Sequence, residues 1–128
     1  MSSRSSGCGI AGTSSSHRPE HWSADSGHRD VARLDIPADA FRERSFEIFC
    51  RLVVANKTGR TDATHGLRVW VDGAVEWARN VPTPADGPDS LELRLRRVVS
   101  VGRPLRITAA GELRGCVRVS LGISADEE

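Results

Sequence analysis

From Val31 onward, apolar and polar residues alternate in short runs that are separated by turn residues. The longest run has apolar side chains at every second position between residues 46 and 54. A period of two is typical of β-strands that bury one face, and no helical period of useful length interrupts it, although residues 37–44 could hold one helical turn. The pattern predicts an antiparallel β-sandwich of about seven or eight strands, either immunoglobulin-like or jelly-roll-like.

A β-hairpin is predicted around Asp72 and Gly73, because an Asp-Gly pair between alternating residues favours a type I′ turn with positive φ at both positions. A two-residue turn then sets Arg68 opposite Trp77, with Trp70 on the same side of the ribbon. We call these three residues the tryptophan face. Both sides of the hairpin are apolar, so this face is either covered by other parts of the chain or exposed for binding.

The arginines of the C-terminal third are unevenly distributed. Between Ser90 and Ile123 the chain has seven arginines and two glutamates. Four of these arginines point away from the apolar side of their predicted strands, namely Arg94, Arg96, Arg106 and Arg118. If these strands are neighbours in one sheet, the four form an arginine stripe that suits an acidic protein partner or a phosphate-bearing ligand, whereas the alternative is an ordinary solvated sheet face. A net charge of +1 and the lack of aromatic residues along the stripe argue against nucleic acid.

Three cysteines are too few and too scattered for a disulfide framework or a zinc site. Cys50 is in phase with the apolar positions of its run, which predicts a core residue. Cys116 is out of phase with Val117 and Val119, so we expect it to point away from the core. The order Cys50, Trp70, Cys116 is that of immunoglobulin domains, but this phase and the lack of any tyrosine support only the sandwich architecture.

The two ends differ from the body in composition. Residues 1–29 contain nine serines and four glycines and offer little to bury, which predicts a disordered leader. We therefore expect the sandwich at residues 30–124 and an acidic tail at 125–128. No apolar segment is long enough for a secretory signal or a membrane span, so we expect a cytoplasmic protein, with organelle targeting by the leader as the alternative.

Motifs of possible chemical interest lack the context that they need. Residues 7–12 match GxGxxG, but no strand precedes them, so a dinucleotide site is not expected. His17, His21 and His28 lie in the predicted leader, where no structured shell would hold a metal ion. His65 stands alone at the end of a loop, where we expect it to be solvated. The sequence thus predicts no cofactor, no metal and no catalytic constellation.

These patterns favour a non-catalytic binding or assembly module that engages a protein partner or a second copy of itself. Its contacts would be the tryptophan face and the arginine stripe, since aromatic residues and arginine are the usual anchors of interfaces. A carbohydrate-binding module, in which Trp70 and Trp77 stack on sugar rings, is the alternative. A small enzyme of unknown class is the second alternative.

Overall fold

The computed structural model describes residues 18–128, and the regular elements of this range are β-strands. The GxGxxG motif, His17 and the first part of the predicted leader lie outside the described residues. Within residues 18–128 no helix occurs that could cross a membrane. The eight strands are β1 His21–Asp25, β2 Val31–Ile36, β3 Arg44–Ala55, β4 Thr64–Val71, β5 Ala74–Pro82, β6 Pro88–Val99, β7 Leu105–Arg114 and β8 Val117–Glu127.

The strands form two antiparallel four-stranded sheets. Sheet A has the order β1-β8-β3-β6 and sheet B has the order β2-β7-β4-β5. The pairing is nested, since β1 pairs with β8, β2 with β7, β3 with β6 and β4 with β5. This connectivity is that of a jelly roll, in which a long hairpin of strands is rolled into two facing sheets. The predicted sandwich is confirmed, and the jelly-roll alternative is the one that the strand order supports.

The inward residues of both sheets form one core. Strand β3 contributes most to it, with five completely buried side chains: Phe46, Ile48, Cys50, Leu52 and Val54. Burial of a large aliphatic or aromatic side chain stabilises the fold by about 1.5–3 kcal/mol, so β3 is a main source of stability. The same burial raises the pKa of the Cys50 thiol to about 12. Cys50 is therefore the core residue that its phase predicted.

The turn between β4 and β5 is the predicted one. Asp72 has a φ of 50° and Gly73 a φ of 87°, as a type I′ turn requires. Trp70 lies opposite Val75, which also agrees with the sequence-based register. The backbone N–H of Asp72 donates to the carbonyl oxygen of Arg106 at 2.8 Å, so the tip of the hairpin is fastened to β7.

Beyond the first pairs, the predicted register of the hairpin is wrong. A β-bulge shifts the pairing between Val69 and Trp70, so that Val69 lies opposite Trp77 and Glu76 is the extra residue. One extra residue reverses the side to which the following side chains point. Trp77 therefore packs against the core, whereas Trp70 and Arg68 remain on the outer side. The predicted tryptophan face does not exist.

A second bulge changes the start of β8. Its register with β3 shifts at Val119: Val53 lies opposite Ser120, but Val54 lies opposite Arg118 and Val119 is the extra residue. Val117 and Val119 are consequently 45% and 58% exposed. Cys116 packs against the core, so the expectation that it points outward is wrong. The sequence pattern gave no sign of this bulge, because the apolar alternation continues through it.

In the sequence, the alternation of apolar and polar residues breaks at Arg96 and Arg97, before Val98, and this break predicts a bulge or a bend. That prediction is wrong, because β6 pairs with β3 without interruption. Arg97 occupies an inward position at the edge of the sheet, where its guanidinium group forms an ion pair with Glu76 of β5. Val98 stays on the outer side and is 63% exposed. The arginine therefore replaces an apolar residue in an unbroken alternation.

Both predicted boundaries of the sandwich need correction. Strand β1 lies within the predicted leader and pairs along its whole length with β8. Strand β8 itself continues through Glu127, so the predicted acidic tail is largely part of a strand. Neither segment is rich in apolar residues, and composition alone therefore assigned them to the ends of the domain.

An ion-pair network attaches β1 to the rest of the sandwich. The Glu20 carboxylate accepts hydrogen bonds from Arg44 at 2.8 Å, from Arg42 at 3.0 Å and from the indole N–H of Trp22 at 2.9 Å. The Arg44 side chain is only 2% exposed and also donates to the carbonyl oxygen of Pro37. A buried arginine needs such partners, so the N-terminal segment is part of the folded domain.

Candidate functional site

On the outer side of sheet B, small side chains of the central strand β7 lie between larger side chains of its neighbours β2 and β4. Directly opposed residues of antiparallel strands share a face, so the outward residues of β2, β7 and β4 lie in rows. Two adjacent rows consist of Arg33, Thr108 and Trp70 in one and of Val31, Ala110 and Arg68 in the other. The central strand β7 thus contributes the two small side chains. We call the resulting depression the trough.

The trough is an open groove with a volume of about 1020 Å³. Its floor is formed by Thr108 and Ala110, and Trp70 and Val31 line its two sides. Trp70 is half-buried, whereas Val31 is 46% exposed. A concave and largely apolar surface on the outside of a sandwich is the kind of patch that often serves an interaction.

Trp70 is held in place from two directions. The Arg68 guanidinium carbon lies 6.0 Å from the centroid of the Trp70 ring, within the range of a cation–π contact. The β4–β5 turn, which follows Trp70, is also held in place, because the backbone N–H of Arg106 donates to Asp72 Oδ1 at 2.9 Å. The indole therefore stands on a strand and beside a turn that are both tied to β7.

One end of the trough is charged. The Asp35 carboxylate is 2.7 Å from Arg106 Nε and 3.2 Å from Arg33 Nε. Hydrogen bonds from Arg106 and then from Arg33 lower the pKa of Asp35, so this carboxylate stays ionised. Together with Asp72, which also lines the trough, these residues give this end of the trough both hydrogen-bond donors and acceptors. A ligand could make polar contacts here and apolar contacts on the Trp70 side.

Three of the seven residues predicted to bind are brought together by the fold. Arg68, Trp70 and Arg106 all lie on the outer side of sheet B, and the last two line the trough. Trp77 lies on the opposite, inward side of the same sheet. The binding role of these residues stays a prediction, but the tryptophans do not form a joint platform.

The other predicted residues do not form an arginine stripe. Arg94 and Arg96 belong to β6 of sheet A, whereas Arg106 belongs to sheet B, so the strands are not neighbours. Arg94 stacks on Phe49 at 4.3 Å, and Arg96 Nε lies 3.0 Å from a Glu128 carboxylate oxygen. The assumption that all these strands share a sheet is wrong, because the jelly roll distributes them over both sheets.

Arg118 differs from the other arginines of the predicted stripe. The β8 bulge turns it toward the β1–β2 connection, where it forms an ion pair with Asp30 and donates to the carbonyl oxygen of Gly27 at 3.0 Å. Its side chain is 16% exposed. Arg118 therefore holds the connection between the two sheets and is not available as part of an outer face.

Sequence reasoning did not identify several residues of β2 and β7 that line the trough together with Trp22 of β1: Val31, Arg33, Asp35, Thr108 and Ala110. The available signal was that two successive outward positions of β7, Thr108 and Ala110, are small. That signal gains meaning only when β7 is known to lie between β2 and β4. These three strands are far apart in the chain, and their order cannot be read from alternation.

His65 was expected to be solvated, and this expectation is wrong. Its side chain is completely buried at the start of β4, with Nδ1 2.7 Å from Thr83 Oγ1 and Nε2 3.4 Å from Asp89 Oδ2. The Thr83 hydroxyl in turn lies 3.7 Å from Cys116 Sγ. Burial lowers the pKa of His65. These groups link the start of β4 and of β6 to the residue that follows β5 and the residue that precedes β8, inside the domain.

No metal-binding cluster of three His, Cys, Asp or Glu side chains occurs within residues 18–128. His21 and His28 are both exposed, the first on β1 and the second in the turn that follows it. His21 Nδ1 lies 2.5 Å from Asp126 Oδ1, which makes it part of the β1–β8 pairing.

No protein-family model matches this chain, and no curated protein matches its sequence. Among solved structures, it is similar to part of dimeric latent PorU from Porphyromonas gingivalis, with 13% sequence identity and a TM-score of 0.49. The match covers 85% of this chain and 12% of that chain. The chain thus spans a small part of that protein, and the similarity concerns the arrangement of strands alone.

Proposed function

We propose that this protein is a non-catalytic binding module whose trough takes up an extended segment of a protein partner. The observation that carries the proposal is the half-buried Trp70, which stands beside a floor of small residues on the outer side of sheet B. An outer sheet face that served only solubility would be covered with polar side chains. Here the central strand instead leaves an apolar depression.

The dimensions of the trough suit a short extended peptide. Its floor follows β7 from Pro104 to Ala110, and a strand rises about 3.3–3.4 Å per residue, so the floor is about 20 Å long. A segment of about six extended residues has the same length. Alternate side chains of such a segment would point into the trough, which is how extended ligands obtain specificity.

The residues that line the trough indicate which side chains of a ligand would fit it. An apolar or aromatic side chain fits between Trp70 and Val31, where the lining is apolar. A polar or charged group fits the end where Asp35 lies between two arginines. We therefore expect a partner segment that combines an apolar anchor with a polar residue a few positions away.

A displayed library of random peptides tests the proposal. Peptides selected on the full chain should bind two variants at least about tenfold more weakly. Thr108→Arg fills the floor of the trough, and Trp70→Ala removes one of its sides. Ser120→Arg, an exposed position on sheet A, is the matched control and should leave the affinity unchanged. Thermal melts of each variant establish that it is folded.

Two results would contradict the proposal. One is a set of peptides that bind Thr108→Arg as well as the unchanged chain, and the other is a library that yields no binder. A parallel screen of oligosaccharides addresses the carbohydrate alternative, in which Trp70 would stack on a sugar ring without Trp77. An oligosaccharide whose binding is lost in both trough variants would favour that alternative over a peptide ligand.

A further inference from the structure

Strand β6 has a long free edge. It forms the end of sheet A, and all twelve of its residues pair with β3 without a bulge. Within residues 18–128 no strand pairs with its other side. The other sheet edges are protected differently, since β1 and β2 have only five and six residues and β5 contains a bulge. A regular edge of this length is a template for a further strand.

The sequence of β6 is complementary to itself. In an antiparallel pair related by a two-fold axis at Leu93, each residue lies opposite the residue equally far from Leu93 in the second copy. Glu92 then lies opposite Arg94, and this pair occurs twice because of the symmetry. Opposite charges at directly opposed positions stabilise a pair of strands. We propose that two copies of this chain associate through their β6 edges in this register.

The inward side of β6 is complementary in the same register. Leu91 lies opposite Leu95, and Leu93 lies opposite its own counterpart, so the apolar side chains of the two copies meet. Asp89 lies opposite Arg97, which adds two further pairs of opposite charge. Leu93 and Leu95 are only partly buried in one copy and pack at the rim of its core. The second copy covers them and joins the two cores along the edge.

The two neighbouring registers that keep inward residues opposite inward residues are worse. An axis at Arg94 sets this arginine opposite itself and Leu91 opposite Arg97. An axis at Glu92 sets this glutamate opposite itself and Asp89 opposite Leu95. Like charges directly opposite one another destabilise a pair of strands. Of these three axes, the one at Leu93 sets opposite charges against each other on the outer side and leucines against each other on the inner side.

The neighbouring strand extends the charge pattern. On β3, Arg51 lies opposite Glu92, with Nε and Oε2 separated by 3.1 Å, and Phe49 lies opposite Arg94 and stacks on it. Across the pair of copies, one row therefore reads Arg51, Glu92, then Arg94 and Phe49 of the second copy. Each carboxylate stands between two guanidinium groups, and each Arg94 keeps its aromatic partner. The result is a continuous eight-stranded sheet.

Sedimentation of the full chain over micromolar to millimolar concentrations tests this arrangement. The unchanged chain should form a dimer. Glu92→Arg and Arg94→Glu should each weaken self-association by at least about tenfold, because each creates two pairs of like charge. An equal mixture of the two variants should restore the dimer, since each substituted side chain then faces an opposite charge on the other variant.

Controls separate this interface from effects on folding and from a general effect of changed surface charge. Glu112→Arg changes the charge at an exposed position of sheet B and should leave the dimer intact. Circular dichroism and thermal melts establish that each variant is folded, and the mixture experiment itself requires two folded chains. A chain that remains monomeric at all concentrations overturns the proposal. A dimer that survives both single substitutions, or a mixture that stays monomeric, overturns it as well.

Discussion

Replacing Glu20 by glutamine tests whether the N-terminal strand is an integral part of the sandwich. Glu20 supplies the carboxylate that lies against the buried guanidinium group of Arg44 at 2.8 Å. Glutamine has the same shape and retains one acceptor oxygen, so the substitution removes chiefly the negative charge. Arg44 would then keep a full positive charge at a position where its side chain is 2% exposed.

The expected cost follows from the burial of Arg44. Removing one partner of a buried ion pair typically costs about 3–5 kcal/mol. The Glu20 side chain is itself 21% exposed, and glutamine still accepts a hydrogen bond, so we expect about 2–3 kcal/mol. For a domain of this size, 1 kcal/mol corresponds to about 3–5 °C, which predicts a fall in Tm of about 6–15 °C.

Thermal and urea unfolding of Glu20→Gln measure this effect. Asp62→Asn is the matched control, since it removes the charge of an ion pair with Arg60 in which both side chains are largely exposed. Exposed pairs contribute little, so the control should leave the Tm unchanged. If Glu20→Gln shifts the Tm no more than Asp62→Asn does, the network does not stabilise the attachment of β1, and the reasoning is refuted.

Three further predictions concern the core, the hairpin and the buried histidine. Gly73→Ala should lower the free energy of unfolding by about 1–2 kcal/mol, because φ is positive at this turn position, and urea unfolding that shows no loss would contradict the assigned turn. Cys50, whose pKa is raised to about 12, should resist iodoacetamide in the folded protein and react in urea; mass spectrometry that finds it modified under native conditions would contradict its burial. The lowered pKa of His65 means that the folded state binds fewer protons than the unfolded state. The free energy of unfolding should therefore be highest above a pH of about 6.5 and decrease below it, and His65→Gln should lose this part of the decrease in urea titrations; an unchanged slope would refute the assignment.

The fold class was predictable because alternation and turn chemistry are local. The run from Phe46 to Val54 has the period of a strand with one buried side, and Asp72 and Gly73 have the preferences of a type I′ turn. These features depend on residues that are neighbours in sequence. The sandwich, the hairpin and the burial of Cys50 followed from them.

The site could not be predicted to the same extent, because it depends on bulges and on strand order. A single extra residue at Glu76 moves Trp77 to the core, and nothing in the local composition marks it. The trough needs Thr108 to lie between Arg33 and Trp70, which are separated by long stretches of chain. Sequence alternation tells which residues share a side of one strand but not which strands become neighbours.

Ligands should bind at the trough beside Trp70 and not at the inward side of sheet B, where Trp77 lies. Indole N–H signals in a two-dimensional NMR spectrum report on each tryptophan separately, and Trp→Phe variants assign them. On titration with a peptide selected on the full chain, we expect the Trp70 signal to shift and the Trp77 signal to stay in place. A shift of Trp77 with an unchanged Trp70 would contradict the account.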